Sequence, residues 1–206
     1  MTSVRRTRAT SSFLYTIKGE VGDDADLTRA ELGSDAVIQG SGIALEQCSL
    51  NQSKIKRASG IQVRLSQLQM VDAANADMER SGWRECEVRE SRLTGVKLNS
   101  AHIARSVFVE CKMNLLQCQM AMLQDVRFEQ CDLRGAYFNR SKMAGTVFEG
   151  SDLGGADFSS ATITGCDFRR AKIDDIRVAP EQMAGVIVTA DQALYLARLF
   201  GLDIQE

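Results

Sequence analysis

Ser151-Asp152-Leu153-Gly154-Gly155-Ala156-Asp157-Phe158-Ser159-Ser160-Ala161-Thr162-Ile163-Thr164-Gly165 places a large apolar residue at every fifth position and a small one two residues before it. The spacing holds over residues 76–180. Its centres run from Met78, Trp83 and Val88 through Phe108, Phe128 and Phe148 to Ile173 and Val178, and all 21 are apolar. At 44% hydrophobic composition, chance gives that in a fixed phase on the order of once in 10 million. In the series two residues earlier only Val96, Leu116, Val126 and Ile176 are larger than Ala, Ser, Thr or Cys.

A period of five suits neither regular element. On a helix the stripe drifts around the barrel, and on a continuous strand successive centres fall on opposite faces. The pattern works if the chain turns a corner once per quintet. Small residue and centre, two apart, then both point inward, and the other three residues face solvent or make the corner. Repeated turning in one sense closes into stacked coils, a solenoid. Phe108, Phe128, Phe148 and Phe168 recur every twenty residues, as do Phe138 and Phe158. Four quintets per coil therefore stack each set as a ladder, on opposite walls.

Cys131-Asp132-Leu133-Arg134-Gly135, Ser151-Asp152-Leu153-Gly154-Gly155 and Ala156-Asp157-Phe158-Ser159-Ser160 resemble the repeat unit of the pentapeptide repeat family. The resemblance implies an all-β fold, a right-handed quadrilateral β-helix. The segment Gly185-Val186-Ile187-Val188-Thr189-Ala190-Asp191-Gln192-Ala193 is similar to the C-terminal cap of the MfpA-type members, which dimerise end to end through it.

Outside the central stretch the reading is coarser. Residues 1–22 form an N-terminal tail and cap. Arg5, Arg6 and Arg8 make the start basic, and Phe13-Leu14-Tyr15 is too short for a signal-peptide core. Residues 13–20 are expected as a strand over the first coil, because an open solenoid end exposes apolar slots and strand edges. The repeat occupies residues 23–180. Early centres are placed at Leu27, Leu32 and Val37, then Leu45, Leu50, Ile55, Gly60, Leu65 and Met70. That phasing requires three-residue insertions near residues 39–43 and 71–75, each bulging from a corner. About thirty quintets give 7–8 coils, a shaft of roughly 36 Å at one strand spacing per coil. Residues 181–206 form the C-terminal cap. Thr189-Ala190-Asp191-Gln192 is a capping box that opens a short helix, closed by Gly201. Leu194, Leu196, Leu199 and Phe200 are its apolar residues and the candidate cap or dimer seam.

The composition excludes several classes. A net charge of −2 provides no strong electrostatic address, and no apolar run approaches a membrane span. The six Cys occupy inward small positions, as buried hydrophobes in a reducing compartment, so a cytoplasmic location is expected. Cys111 and Cys131 stack on one wall within disulfide reach, with packing the better reading. The lone His102 falls at an outward position without a converging partner. There is no nucleophile motif, phosphate loop or metal-ligand spacing, so neither enzyme activity nor a cofactor or metal is expected. Basic residues are interleaved with acids, so direct nucleic-acid binding is not expected.

The family resemblance also implies a function. The Qnr and MfpA branch protects DNA gyrase by resembling duplex DNA, and a mimic must carry negative charge where phosphates would sit. On the wall of the Phe108 ladder, Glu87, Glu90, Glu110, Glu129 and Glu149 all take outward positions. Arg89, Arg127, Arg169 and Arg170 share that wall. The leading expectation is a non-enzymatic protein that engages a type II topoisomerase by partial DNA mimicry, for antibiotic resistance or self-protection. The alternative is an interaction scaffold with a partner unrelated to DNA topology. A continuous negative stripe distinguishes the first and an apolar outward patch the second.

Overall fold

The computed structural model describes residues 5–8 and 15–205. It is a solenoid of stacked parallel strands closed by one short helix, Ala190–Leu199. Four walls alternate around the axis, named here by one residue each. The Trp83 wall is a seven-stranded parallel sheet, with Leu27, Leu45, Val63, Trp83, Ile103, Leu123 and Met143 in register. The Phe108 wall carries the other sheet. The Leu133 and Phe138 walls are held by isolated parallel bridges such as Lys112↔Asp132 and Gln117↔Tyr137. Coils are joined in both directions. The Arg80 N–H donates to the Asn99 carbonyl and the Lys97 N–H to the Ala76 carbonyl.

The quintet arithmetic explains why this sequence coils. From Met78 to Ile173 every centre is buried, and so is every residue two positions before one. Two residues after each of these centres except Phe168 the backbone turns with positive φ, at Glu90 (50°), Leu115 (59°) and Met120 (55°) for example. This is the corner. Left-handed backbone disfavours a residue with a Cβ by roughly 1–2 kcal/mol, so the stacked core must offset a small strain at each such corner that is not glycine.

The axis is filled by the two Phe ladders. Phe128 stacks on Phe108 and Phe148 at centroid distances of 5.2 and 5.4 Å, and Phe138 on Phe158 at 5.2 Å. The opposite ladders also meet edge to face, Phe128 to Phe138 at 6.4 Å and Phe138 to Phe148 at 6.1 Å. Ser and Cys at small positions link coils. The Ser151 hydroxyl donates to the Phe128 carbonyl at 3.0 Å and accepts from the Cys131 amide. The Cys131 and Cys86 thiols reach carbonyls in the coil below, those of Phe108 at 3.4 Å and Val63 at 3.3 Å. All six cysteines are buried and free.

The N-terminal phasing needs correction. Leu65 and Met70 are not centres. They sit at corners with positive φ and are 43% and 40% exposed. Gly60 is also a corner, with φ of 72°. The buried centres are Val63, Leu68 and Ala73, and Ile38 instead of Val37. Residues 71–75 contain no insertion, since Val71 and Ala73 lie in the core. Nor is there a net insertion at 39–43. The early coils are shorter, with Leu27 opposite Leu45 and Leu45 opposite Val63, whereas later partners are twenty apart. The change falls where Lys54 pairs with Asp72 but Arg57 with Asp77. Strand Lys54–Arg57 runs straight where the coil above turns at Asn75. The early coils thus lose corner residues, and Gly40-Ser41-Gly42 turns tightly against Asp23, whose carboxylate accepts from the Ser41 amide at 2.7 Å.

The ends are covered differently. Strand Tyr15–Val21 lies parallel on Ala30–Gln39, and Arg5–Arg8 pairs with it antiparallel. Phe13 and Leu14, which the sequence places in this strand, lie outside the described residues. At the other end, Gln192 Nε2 donates to the carbonyls of Phe168 (2.6 Å) and Ala171 (2.9 Å). Ten residues earlier, Gln182 does the same to Phe158 and Ala161, both at 2.7 Å. Both Oε1 atoms accept an amide three residues back, from Thr189 and Ala179. Two glutamines therefore occupy carbonyls that a further coil would cover.

Candidate partner-binding faces

The quintet frame places all five glutamates of the Phe108 wall outward, but their electrostatic state differs. Glu87, Glu129 and Glu149 lie beside the centres, and each is paired, with Arg89, Arg127 (2.8 Å) and Arg170 respectively. Above them Arg169 grips Asp167 at 2.7 Å and holds its carboxyl below the usual carboxylate range. Glu90 and Glu110 are set apart at the corner leading to the Leu133 wall, where positive φ throws the side chain outward. Both are exposed and form no ion pair among the described residues. The structure therefore brings together two carboxylates outside any ion pair among the described residues, Glu90 accepting from Gln69 Nε2 at 3.5 Å, with Met70 below and Gln130 above, instead of a row of five.

Opposite lies surface of another character. Leu115 and Met120 are the corners at either side of the Phe138 wall, and they are 51% and 55% exposed. Tyr137 stands on that wall above Gln117, and Met122 begins the next pass of the Trp83 wall. Between the corners the outward residues are Gln117, Gln119, Tyr137 and Asn139, none of them charged. Charge returns only toward the ends of the wall, at Asp77, Glu79 and Lys97 and at Asp157 and Arg177. This apolar zone, bordered by Arg140 above Met120 and Lys142 above Met122, was readable in the repeat, because all four apolar residues occupy outward quintet positions. A search confined to carboxylates passes over it.

The C-terminal helix divides its apolar residues. Leu196 is buried and Phe200 packs against the last coil, whereas Leu194 and Leu199 are exposed, as is Leu202 beyond them. The Tyr195 hydroxyl accepts the Asp175 amide at 2.7 Å and pins the helix to the shaft. Of the four residues read as a cap or dimer seam, Leu196 and Phe200 therefore face the cap contact.

His102 is exposed on strand His102–Ala104. Burial pushes the Cys118 and Cys166 thiols up to about 12, so neither is poised as a nucleophile. Among the described residues no three metal-ligating side chains cluster, and no helix is long and apolar enough to cross a membrane.

Comparison with known proteins places the architecture. HetL, a protein from the cyanobacterium Nostoc sp. strain PCC 7120 involved in heterocyst differentiation regulation, superposes with a TM-score of 0.54 at 18% identity, covering 87% of this chain and 86% of its own. Full-length QnrB1, a plasmid-mediated fluoroquinolone resistance protein, gives 0.41 at 13% identity, covering 91% and 100%. A pentapeptide repeat protein of the Arabidopsis thaliana thylakoid lumen gives 0.22 at 22% identity over 64% and 75%. No curated protein matches the chain. The model of the pentapeptide repeat region matches residues 76–158. That match covers much of the regular coil in which Phe108 to Phe158 stack, and over these residues the chain carries a pentapeptide repeat region.

Proposed function

We propose that this protein is a non-enzymatic binding solenoid whose outward walls engage a protein partner. The observation that carries the reading is the zone of Leu115, Met120, Met122 and Tyr137, exposed apolar side chains in an otherwise charged surface. Contiguous exposed apolar surface on a folded rod marks an interaction site. The apolar zone lies in the regular coils, where stacked cores hold corner and wall residues in fixed positions and reduce the ordering cost of binding. The test is photo-crosslinking in the native host from a probe at Met120 and from a control probe at Lys172 on the Leu133 wall. A distinct protein adduct from Met120 alone supports the reading. Identical adduct patterns from both probes refute it.

A second reading rests on the Glu90–Glu110 column. A type II topoisomerase such as DNA gyrase, bound by partial DNA mimicry, needs carboxylates at a basic DNA site. Those two side chains supply free charge on a shaft comparable in length with a helical turn of B-DNA, about 34–36 Å. Drug resistance or self-protection follows from that partner. Changing Glu90, Glu110, Glu129 and Glu149 together to Gln is expected to abolish binding and supercoiling inhibition while leaving the melting temperature nearly unchanged, since all four point outward. Failure of the unmodified protein to bind its host's type II topoisomerases sinks this reading and leaves the first intact.

A further inference from the structure

Strands His102–Ala104, Met122–Gln124 and Lys142–Ala144 pair in register on the Trp83 wall. Their outward residues therefore form two columns. His102, Met122 and Lys142 make one, and Ala104, Gln124 and Ala144 the other. The small Ala104 and Ala144 on either side of Gln124 leave a groove of about 480 Å³ across the wall. Its outer surface is uncharged except at the cationic side, where Lys142 stands over Met122 and Arg140 occupies the corner that leads into the strand. Neither cation has an ion-pair partner among the described residues. At the far corner Arg105 is already held by Glu85, and Asp125 is the remaining acid. Met122 is 47% exposed between these features.

We propose that this groove is the docking site for an acidic amphipathic peptide segment of a partner protein. Its apolar side chains lie on Met122, Ala104 and Ala144, and its carboxylates face Lys142 and Arg140. The inference rests on the protein-partner reading above and names the chemistry of that partner. Two unneutralised cations beside an exposed thioether select a ligand with an apolar side chain flanked by negative charge, because complementary potential steers encounter and disfavours the wrong sign. Methionine adapts its shape to such a side chain. A nucleic-acid strand fits poorly, since His102 is the single ring exposed on this wall among the described residues and the other cations of the wall, Arg64 and Arg84, are paired with Glu46 and Glu85.

The test uses the full chain and three fluorescein-labelled 12-residue peptides with the same leucine spacing and Glu, Ser or Lys at the remaining positions. Binding is read by anisotropy, and its location by the NMR shift of the Met122 methyl group. The Glu peptide is expected to bind at least about tenfold more tightly than the Ser peptide and to weaken as salt rises, with the Lys peptide weakest. It should shift the Met122 methyl. Lys142→Glu with Arg140→Glu should remove the preference without changing the circular dichroism, both residues being exposed. Equal affinity of the Glu and Ser peptides, with Met122 shifted by both, overturns the acidic partner while leaving a protein-binding face. A Met122 methyl unmoved by any of the three overturns the groove itself. Displacement of the Glu peptide by a 12-nucleotide single strand overturns the proposal in favour of nucleic acid.

Discussion

Replacing Phe128 with alanine tests the central claim that the interlocked aromatic ladders hold the shaft. The ring is 1% exposed. It stacks on Phe108 with an interplanar angle of 14° and on Phe148 with 7°, and meets Phe138 edge-on at 64°. Deleting a buried Phe side chain costs about 3–5 kcal/mol, the upper values applying where surroundings cannot collapse. Here collapse is resisted, because rings above and below are fixed by their own coils and the walls by hydrogen bonds every residue or two. Each lost aromatic pair adds roughly 0.5–1.5 kcal/mol beyond area, so about 5 kcal/mol is expected. Phe168→Ala at the top of the ladder has one stacked neighbour, Phe148 at 5.1 Å. Its void can be filled from the cap, and about 3 kcal/mol is expected. Arg127→Ala, one residue before Phe128 and paired with the half-buried Glu129 from its own exposed position, should cost under about 1 kcal/mol. Urea denaturation of all three, followed by tryptophan fluorescence of Trp83 and by circular dichroism, ranks them. Midpoints for Phe128→Ala and Arg127→Ala that agree within error would refute the packing argument.

Further outcomes are expected. Gln192→Ala strips the Phe168 and Ala171 carbonyls of a donor and should lower cap stability by about 1–2 kcal/mol, seen as faster hydrogen exchange in residues 187–200 with the central coils unchanged. Leu196→Glu buries a charge and should detach the helix, whereas Leu194→Glu with Leu199→Glu should leave it seated. A wild-type dimer that the latter pair dissociates, by sedimentation, would establish the exposed side as a seam, and a wild-type monomer at tens of micromolar removes the seam. The Cys118 thiol, raised by burial from 9.0 to about 12, binds its proton more tightly folded than unfolded. Its contribution is therefore complete below about pH 9 and lost as pH climbs toward 12. Cys118→Ala should flatten that decline in alkaline denaturation, and an unchanged slope would remove Cys118 as its source.

The regular coils were legible because a large apolar centre and a small residue two before it are both demanded by an inward-facing pair, and from Met78 onward no other phase satisfies both. Lower down, Val63 and Leu65, and Leu68 and Met70, are apolar neighbours two apart, so hydropathy alone permits either phase. Only the small series decides between them, Ser66 preceding Leu68 where the large Leu68 precedes Met70. Extending the upper phase downward finds it, at the expense of accepting apolar residues at left-handed corners. The missing corner at Lys54–Arg57 was illegible because a skipped turn and an inserted loop shift the period alike. The charge state of the glutamates was hidden for another reason. Whether Arg89 lies beside Glu87 or reaches elsewhere depends on side-chain direction, which spacing does not encode. Gln182 and Gln192 stand at matching offsets from Ala179 and Thr189, yet their carbonyl partners lie more than twenty residues away in sequence.

The two aromatic ladders make the shaft a quantised ruler. Each occupies one wall at intervals of twenty residues, and every ring from Phe128 to Phe168 also meets the opposite ladder. Duplicating twenty residues, such as 131–150, adds one layer of about 4.8 Å and returns every later side chain to its original wall. Duplicating five turns everything above by a quarter, moves Phe148 and Phe168 off their column and rotates the upper docking faces away from the lower. A lineage can therefore change the reach of this protein between distant contacts only in whole layers, while smaller indels are confined to the short early coils and the two caps.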